Sequence, residues 1–156
     1  MSTKTKPTTR PINTSFRDAT PQDIAEILAI ERCAFTTPWS QQKFLDAFEN
    51  PAITTRVILH NNHIVGYLLA LESIDFVDIL NIAIHPNLQR QNLGKSLLDE
   101  LLQRLDKNKV HAILLEVRVS NVSAIHFYQQ YGFEWIDTRE KYYSNLEDAK
   151  ILHLLI

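Results

Sequence analysis

A carboxylate, an amide and a phenol occur in this chain at a spacing that suits proton transfer. Glu116 is the one charged residue in the run Ala112–Ile113–Leu114–Leu115–Glu116–Val117, near the C-terminal end of a stretch that reads as a strand buried on both faces. Ligand sites in open α/β sheets lie beyond the carboxyl ends of strands, so a carboxylate here is placed to accept a proton near neutral pH. Pairing with Arg118 at the strand end is the plainer alternative. Asn121 and Tyr128 follow seven residues apart on one predicted helix, two turns and about 10 Å along its axis. Asn121 could touch the middle of an extended ligand while Tyr128 reaches its end; an N-cap and a core aromatic are the bland readings of the same two residues.

A second feature lies upstream. Asn81–Ile82–Ala83–Ile84–His85–Pro86 reads as a short apolar strand and turn, and Gln89–Arg90–Gln91–Asn92–Leu93–Gly94–Lys95–Ser96 as a polar loop opening a helix with Leu97, Leu98, Leu101, Leu102 and Leu105. Amides in the first turn of a helix lack intrahelical acceptors, and the helix dipole adds partial positive charge, so phosphate is the natural guest of such a loop. The six histidines form no helical pair at metal-ligand spacing and have no cysteine partners, so no metal site is expected. The single Cys33 excludes an intramolecular disulfide and reads as a core or helix-surface thiol. Neither a Gly-x-Ser-x-Gly elbow nor a Walker loop occurs.

The elements that must position these groups can be read in order. Phe16 begins a short strand, and Thr20–Pro21–Gln22–Asp23 caps a helix carrying Ile24, Ile27 and Leu28 and fading near Cys33. Ser40 caps a second helix, with Trp39 and Phe44 spaced as a hydrophobic staple and Asn50–Pro51 as its stop. Thr54–His60 and His63–Ser73 flank Asn61–Asn62 as a hairpin, and Phe76–Ile84 follows as a further strand. The leucine-rich helix is expected to run to Asn108, the Asn121 helix to close at Gly132, and Phe133–Glu140 and Ala149–Ile156 to form two antiparallel strands. The result is an α/β mixed sheet with helices on both faces.

At 156 residues, 45% hydrophobic and 22% charged, the composition is that of a globular protein with one core. A net charge of −2 speaks against nucleic-acid binding by bulk electrostatics. No apolar run reaches the roughly 18–20 residues of a membrane span. Lys4, Lys6, Arg10 and Arg17 in an acid-free N-terminal stretch lack the apolar segment of a targeting signal, which leaves a flexible tail over residues 1–14, one folded domain over 15–156 and a cytoplasmic location as the expectation.

Four segments in order, Asn81–Pro86, Gln89–Gly94, Leu115–Asn121 and Ala124–Phe133, resemble the GNAT acetyltransferases. With Thr37–Pro38–Trp39–Ser40 and Lys141–Tyr142–Tyr143 they resemble more narrowly the RimI branch, bacterial enzymes that acetylate the N-terminal alanine of a ribosomal protein. The resemblance implies a mostly antiparallel twisted sheet with a splayed central parallel pair. It implies acetyl-CoA as co-substrate, bound by main-chain groups of Ile82, Ala83 and Ile84, with its pyrophosphate on the amides of Arg90, Gln91, Asn92, Leu93, Gly94 and Lys95. Asn121 would contact the pantetheine arm, Glu116 would serve as general base and Tyr128 as general acid. The acceptor implied is the N terminus of the eighteenth small-subunit ribosomal protein. A small amine, a lysine side chain or another protein N terminus is the alternative, and a CoA-binding module without turnover a more distant one. The family loop usually reads Gln/Arg-x-x-Gly-x-Gly/Ala, and its first glycine is Asn92 here. Asn is the non-glycine residue that best tolerates a left-handed conformation, so the loop is expected to keep its shape.

Overall fold

A computed structural model describes residues 13–156, so the expected N-terminal tail falls outside the described residues except at its last two positions. The elements are β1 (Thr14–Asp18), α1 (Ile24–Ala34), α2 (Gln41–Glu49), β2 (Ile53–His60), β3 (His63–Glu72), β4 (Phe76–Ile84), α3 (Leu93–Arg104), β5 (Ala112–Arg118), α4 (Val122–Tyr131), β6 (Glu134–Arg139) and β7 (Ala149–Leu155). One seven-stranded sheet runs in the order β1-β2-β3-β4-β5-β7-β6. Every neighbouring pair is antiparallel except β4 and β5, which are parallel and joined through α3.

Local chemistry explains most boundaries. Asn61 (φ 51°) and Asn62 (φ 66°) both take the left-handed conformation that a two-residue hairpin requires. Ser40 caps α2 by accepting from the Lys43 N–H at 3.2 Å, and Trp39 packs on Phe44 with ring centroids 5.1 Å apart. Gly132 (φ 126°) closes α4, its N–H donating to the Tyr128 and Gln129 carbonyls. The leucine-rich helix ends at Arg104 rather than near Asn108, because Leu105 turns to an extended conformation and Asp106 starts a tight turn, accepting from the Lys109 and Val110 N–H groups.

Two helical layers bury the two faces of the sheet. Ile27, Leu28 and Ile30 of α1 and Phe44 and Ala47 of α2 pack on Val57, Leu59, Tyr67, Leu69 and Ala83. On the other face Leu93, Leu97, Leu98 and Leu101 of α3 and Ile125 and Tyr128 of α4 pack on Leu68, Val77, Ile79, Ile113, Leu115, Val117 and Leu152. The strand buried on both faces is therefore β3, not β5 as its apolar run suggested. In β5 only Ile113, Leu115 and Val117 are buried; α1 and α2 stop at β4, so the other face of β5, which carries Glu116, stays partly open.

At the N terminus of the first helix, Arg17 donates to both oxygens of Asp23 (2.7 and 3.0 Å), and the Thr20 N–H donates to Asp23 Oδ2 (2.8 Å). The Arg17 guanidinium first, and the Thr20 amide after it, hold the Asp23 carboxyl below the usual Asp value. A folded-state pKa below the unfolded one stabilises at pH values above the unfolded value of about 4 and is lost as pH falls through the folded value. Asp23→Asn is expected to lower the urea midpoint at pH 7, and the difference from the unsubstituted protein to shrink in titrations carried down toward pH 2.

Candidate active site

The central parallel pair does not stay paired. β4 and β5 are in register from Phe76 opposite Ala112 to Ile79 opposite Leu115, and the ladder stops there. At the same point β4 carries a bulge: on its β3 side the register jumps from Asn81 opposite Leu69 to Ile79 opposite Ala70, leaving Leu80 without a partner residue. The backbone edge of Leu80–Ile84 that faces β5 thus has no strand partner, and a cleft opens between the two strands.

One side of the cleft is a cavity of about 620 Å³ between the end of β4, the loop before α3 and the first turns of α4. Ile82, Ala83, Ile84, Arg90, Asn92, Leu93, Gly94, Lys95 and Asn121 line it; Gln91 does not. The loop is shaped by left-handed residues at Arg90 (φ 67°) and Asn92 (φ 63°), the second of which precedes the first residue of α3. Left-handed residues at such a turn gather successive amides into a concave nest for an anion. Gly94 packs closely on α4: a Cβ there would sit 3.2 Å from the Phe127 ring, tighter than ordinary contact, so the ring would have to shift slightly. Lys95 is held by Asp99 at 2.8 Å, and Asp99 also accepts from the Tyr131 hydroxyl at 2.6 Å. These features fit a long anionic ligand with a phosphate group at the helix start.

The other side is a cavity of about 490 Å³ lined by Thr37, Pro38 and Trp39 of the α1–α2 connection, Asn81, Glu116, Arg118 and Tyr143. Phe35, Ile82, Asn121, Ala124 and Tyr128 line both cavities, so Tyr128 stands where they meet. Asn121 is an N-cap, its Oδ1 accepting from the Ala124 N–H at 3.3 Å, and it also lines both cavities. Tyr128 is likewise both core and cleft: its ring contacts Phe127 and Phe133, and burial pushes its hydroxyl well above the ordinary tyrosine value, keeping it protonated.

Glu116 pairs with Arg139 (Nε–Oε1 3.4 Å), not with Arg118. Its surroundings are titratable: a hydrogen bond to Glu116 raises the Tyr142 pKa, and burial with the Glu116 charge beside it raises that of Asp78. Tyr143 is pushed up to about 12, by burial above all. Arg118 instead straps the loops around this second cavity. It donates to Thr37 Oγ1 (2.9 Å) and Asn145 Oδ1 (3.0 Å), pairs with Glu147 (3.5 Å), and lies 3.9 Å from the centroid of the Tyr143 ring. Sequence reading passed over Asp78, Arg139 and the role of Arg118, whose partners are remote in the chain. It also passed over Glu31, which did carry a signal: it extends the apolar stripe Ile24, Ile27, Leu28 of α1 by one turn.

Residues 24–133 match the acetyltransferase (GNAT) family. The chain belongs to the GNAT acetyltransferase family. It is 33% identical over 137 residues to the ribosomal protein bS18-alanine N-acetyltransferase of Escherichia coli K12, covering 86% of this chain and 92% of that protein. The crystal structure of the E. coli ribosomal-protein-S18-alanine N-acetyltransferase superposes with a TM-score of 0.83 at 31% identity, over 92% of this chain and 94% of that one. That of Ard1 from Thermoplasma volcanium gives a TM-score of 0.85 at 25% identity, over 93% and 99%. The GNAT fold expected from the sequence, with its splayed parallel pair, is the fold observed.

Asn92 holds the left-handed position where the GNAT loop usually has glycine. Asn92→Ala is expected to cost about 1–2 kcal/mol, the penalty of that conformation for an ordinary L-residue. For a chain of this size that is a fall of roughly 2–8 °C in Tm, read by thermal unfolding.

Proposed function

We propose that this protein transfers the acetyl group of acetyl-CoA to the α-amine of a protein N terminus, with the N-terminal alanine of ribosomal protein bS18 as acceptor. The observation that carries the reading is the meeting of two cavities at Tyr128, one with an anion-binding loop and the other with a carboxylate. The relatives of known acceptor supply the identity of the amine. A ribosomal-protein acceptor implies work in the cytoplasm, and among the described residues no helix is long and apolar enough to cross a membrane. Residues 15–156 act as one acetyltransferase domain in this reading.

In the mechanism, bound acetyl-CoA supplies an activated thioester carbonyl. Ile82–Ile84 hold its extended arm along the unpaired edge of β4, Asn121 holds the arm from the α4 side, and Arg90 and Asn92–Lys95 hold the phosphates. An α-amine has a pKa of about 8, so a modest base suffices to free its lone pair. Glu116 accepts that proton, directly or through water. Negative charge developing on the carbonyl oxygen is met by a main-chain N–H of the unpaired β4 edge. Tyr128, protonated by virtue of its burial, gives its proton to the departing sulfur, and the nitrogen sheds its second proton to solvent as the amide forms. No covalent enzyme intermediate is required, which suits a chain whose single cysteine is exposed on α1.

Two experiments test this. Incubated with acetyl-CoA and a peptide beginning Ala-Arg, the protein is expected to acetylate the free α-amine and to leave a lysine-containing peptide with a blocked N terminus unmodified, by mass spectrometry. Lysine modification would move the acceptor assignment elsewhere in the family. Tyr128→Phe is expected to lower kcat by about 100-fold or more, the usual contribution of a positioned general acid, with acetyl-CoA affinity nearly unchanged. Equal loss of both would remove Tyr128 from the role of acid.

A further inference from the structure

Glu31 is 1% exposed and lies on the face of α1 that packs against the sheet. Oε1 accepts from Asn81 Nδ2 at 2.8 Å and from the Tyr67 hydroxyl, while Oε2 accepts from the Trp39 N–H at 2.9 Å. All three partners are donors, the arrangement that an acceptor-only carboxylate needs. Burying such a group gains little stability over an apolar side chain of the same volume. What it provides is position.

The partners belong to different parts of the cleft. Asn81 is the first residue after the Leu80 bulge, where β4 leaves β5. Trp39 lies in the α1–α2 connection, which lines the acceptor-side cavity through Thr37, Pro38 and Trp39; Glu31 borders the same cavity but is only 1% exposed. Tyr67, on β3, is fully buried and lines neither cavity. The connection is thus held from two directions, by Glu31 at Trp39 and by Arg118 at Thr37.

We propose that the buried Glu31 carboxylate is a positioning residue for acetyl transfer, fixing the acceptor-side Trp39 main chain relative to Asn81 at the β4 bulge. The inference rests on the acetyltransferase reading above. Its effect falls on the acceptor: Ile82–Ile84 and the loop before α3 are shaped by the sheet and by their own backbone, whereas the Trp39 segment depends on the carboxylate.

Glu31→Gln separates this role from bulk stability. The amide keeps the volume, and its oxygen can still accept from Asn81 and Tyr67, but its nitrogen presents a donor to the Trp39 N–H. The expected result is a peptide KM raised about tenfold, equivalent to the loss of one hydrogen bond to a charged group, with acetyl-CoA Kd within about twofold of the unsubstituted protein. Tyr67→Phe removes a donor from the same carboxylate without touching either cavity wall, and is expected to lower Tm while leaving the peptide KM unchanged. Unchanged peptide KM in folded Glu31→Gln overturns the proposal, as does an equal KM shift in Tyr67→Phe, which marks generic packing. Amide hydrogen exchange at Trp39 in the unsubstituted protein tests the anchor without any variant having to fold: strong protection supports it and the rate of a free amide overturns it. Failure of the unsubstituted protein to acetylate any amine overturns the acetyltransferase reading instead.

Discussion

β4 and β5 share a ladder for four residue pairs, Phe76–Ile79 against Ala112–Leu115, and then separate. Buried backbone N–H and C=O groups are almost always paired, so opening a sheet at its centre is costly unless something else fills the gap. Here the free edge faces a cavity, where a ligand with amide groups of its own can take the place of the missing strand. The separation persists because each strand is held from its outer side, β4 by seven residue pairs with β3 and β5 along its whole length by β7. The Leu80 bulge turns β4 at the point where pairing ends, so the cleft is a property of two rigid half-sheets.

Polar side chains hold the loops over this gap. Arg118 joins the end of β5 to the α1–α2 connection through Thr37 and to the β6–β7 connection through Asn145, Glu147 and Tyr143. Farther from the cleft, Arg56 of β2 takes both oxygens of Glu100 on α3 (3.0 and 3.1 Å), tying the helix that begins at the anion loop to the sheet beneath it. Both are planar guanidinium groups serving several acceptors in fixed directions, a task for which a lysine has the wrong shape.

Much of this was legible because it is local. The caps at Ser40 and Asn121, the Asn61–Asn62 turn, the left-handed Asn92 and the Gly132 stop each depend on residues within a few positions, and the structure has all of them. The extent of α3 was misjudged because apolar periodicity continues to Leu105 while the backbone has already turned. β5 was misjudged for a reason no local pattern contains: whether its second face is covered depends on how far α1 and α2 reach across the sheet. The same limit applies at the cleft. Glu116 and Tyr128 could be singled out from their elements, but the Arg139 partner of Glu116 and the Asn81 and Tyr67 partners of Glu31 come from strands distant in the chain.

The two cavities are built from different materials. The wall around the anion loop is a strand end, two helix starts and a glycine pressed against an aromatic ring, where a single added methyl meets a neighbour. The opposite wall joins parts of β4 and β5 to two connections that are held by side-chain hydrogen bonds. Connections tolerate changes of length and composition that regular elements do not. In the proposed reaction the acceptor wall can therefore be reshaped by rewriting loops, while the donor wall, built from regular elements, leaves less room for change.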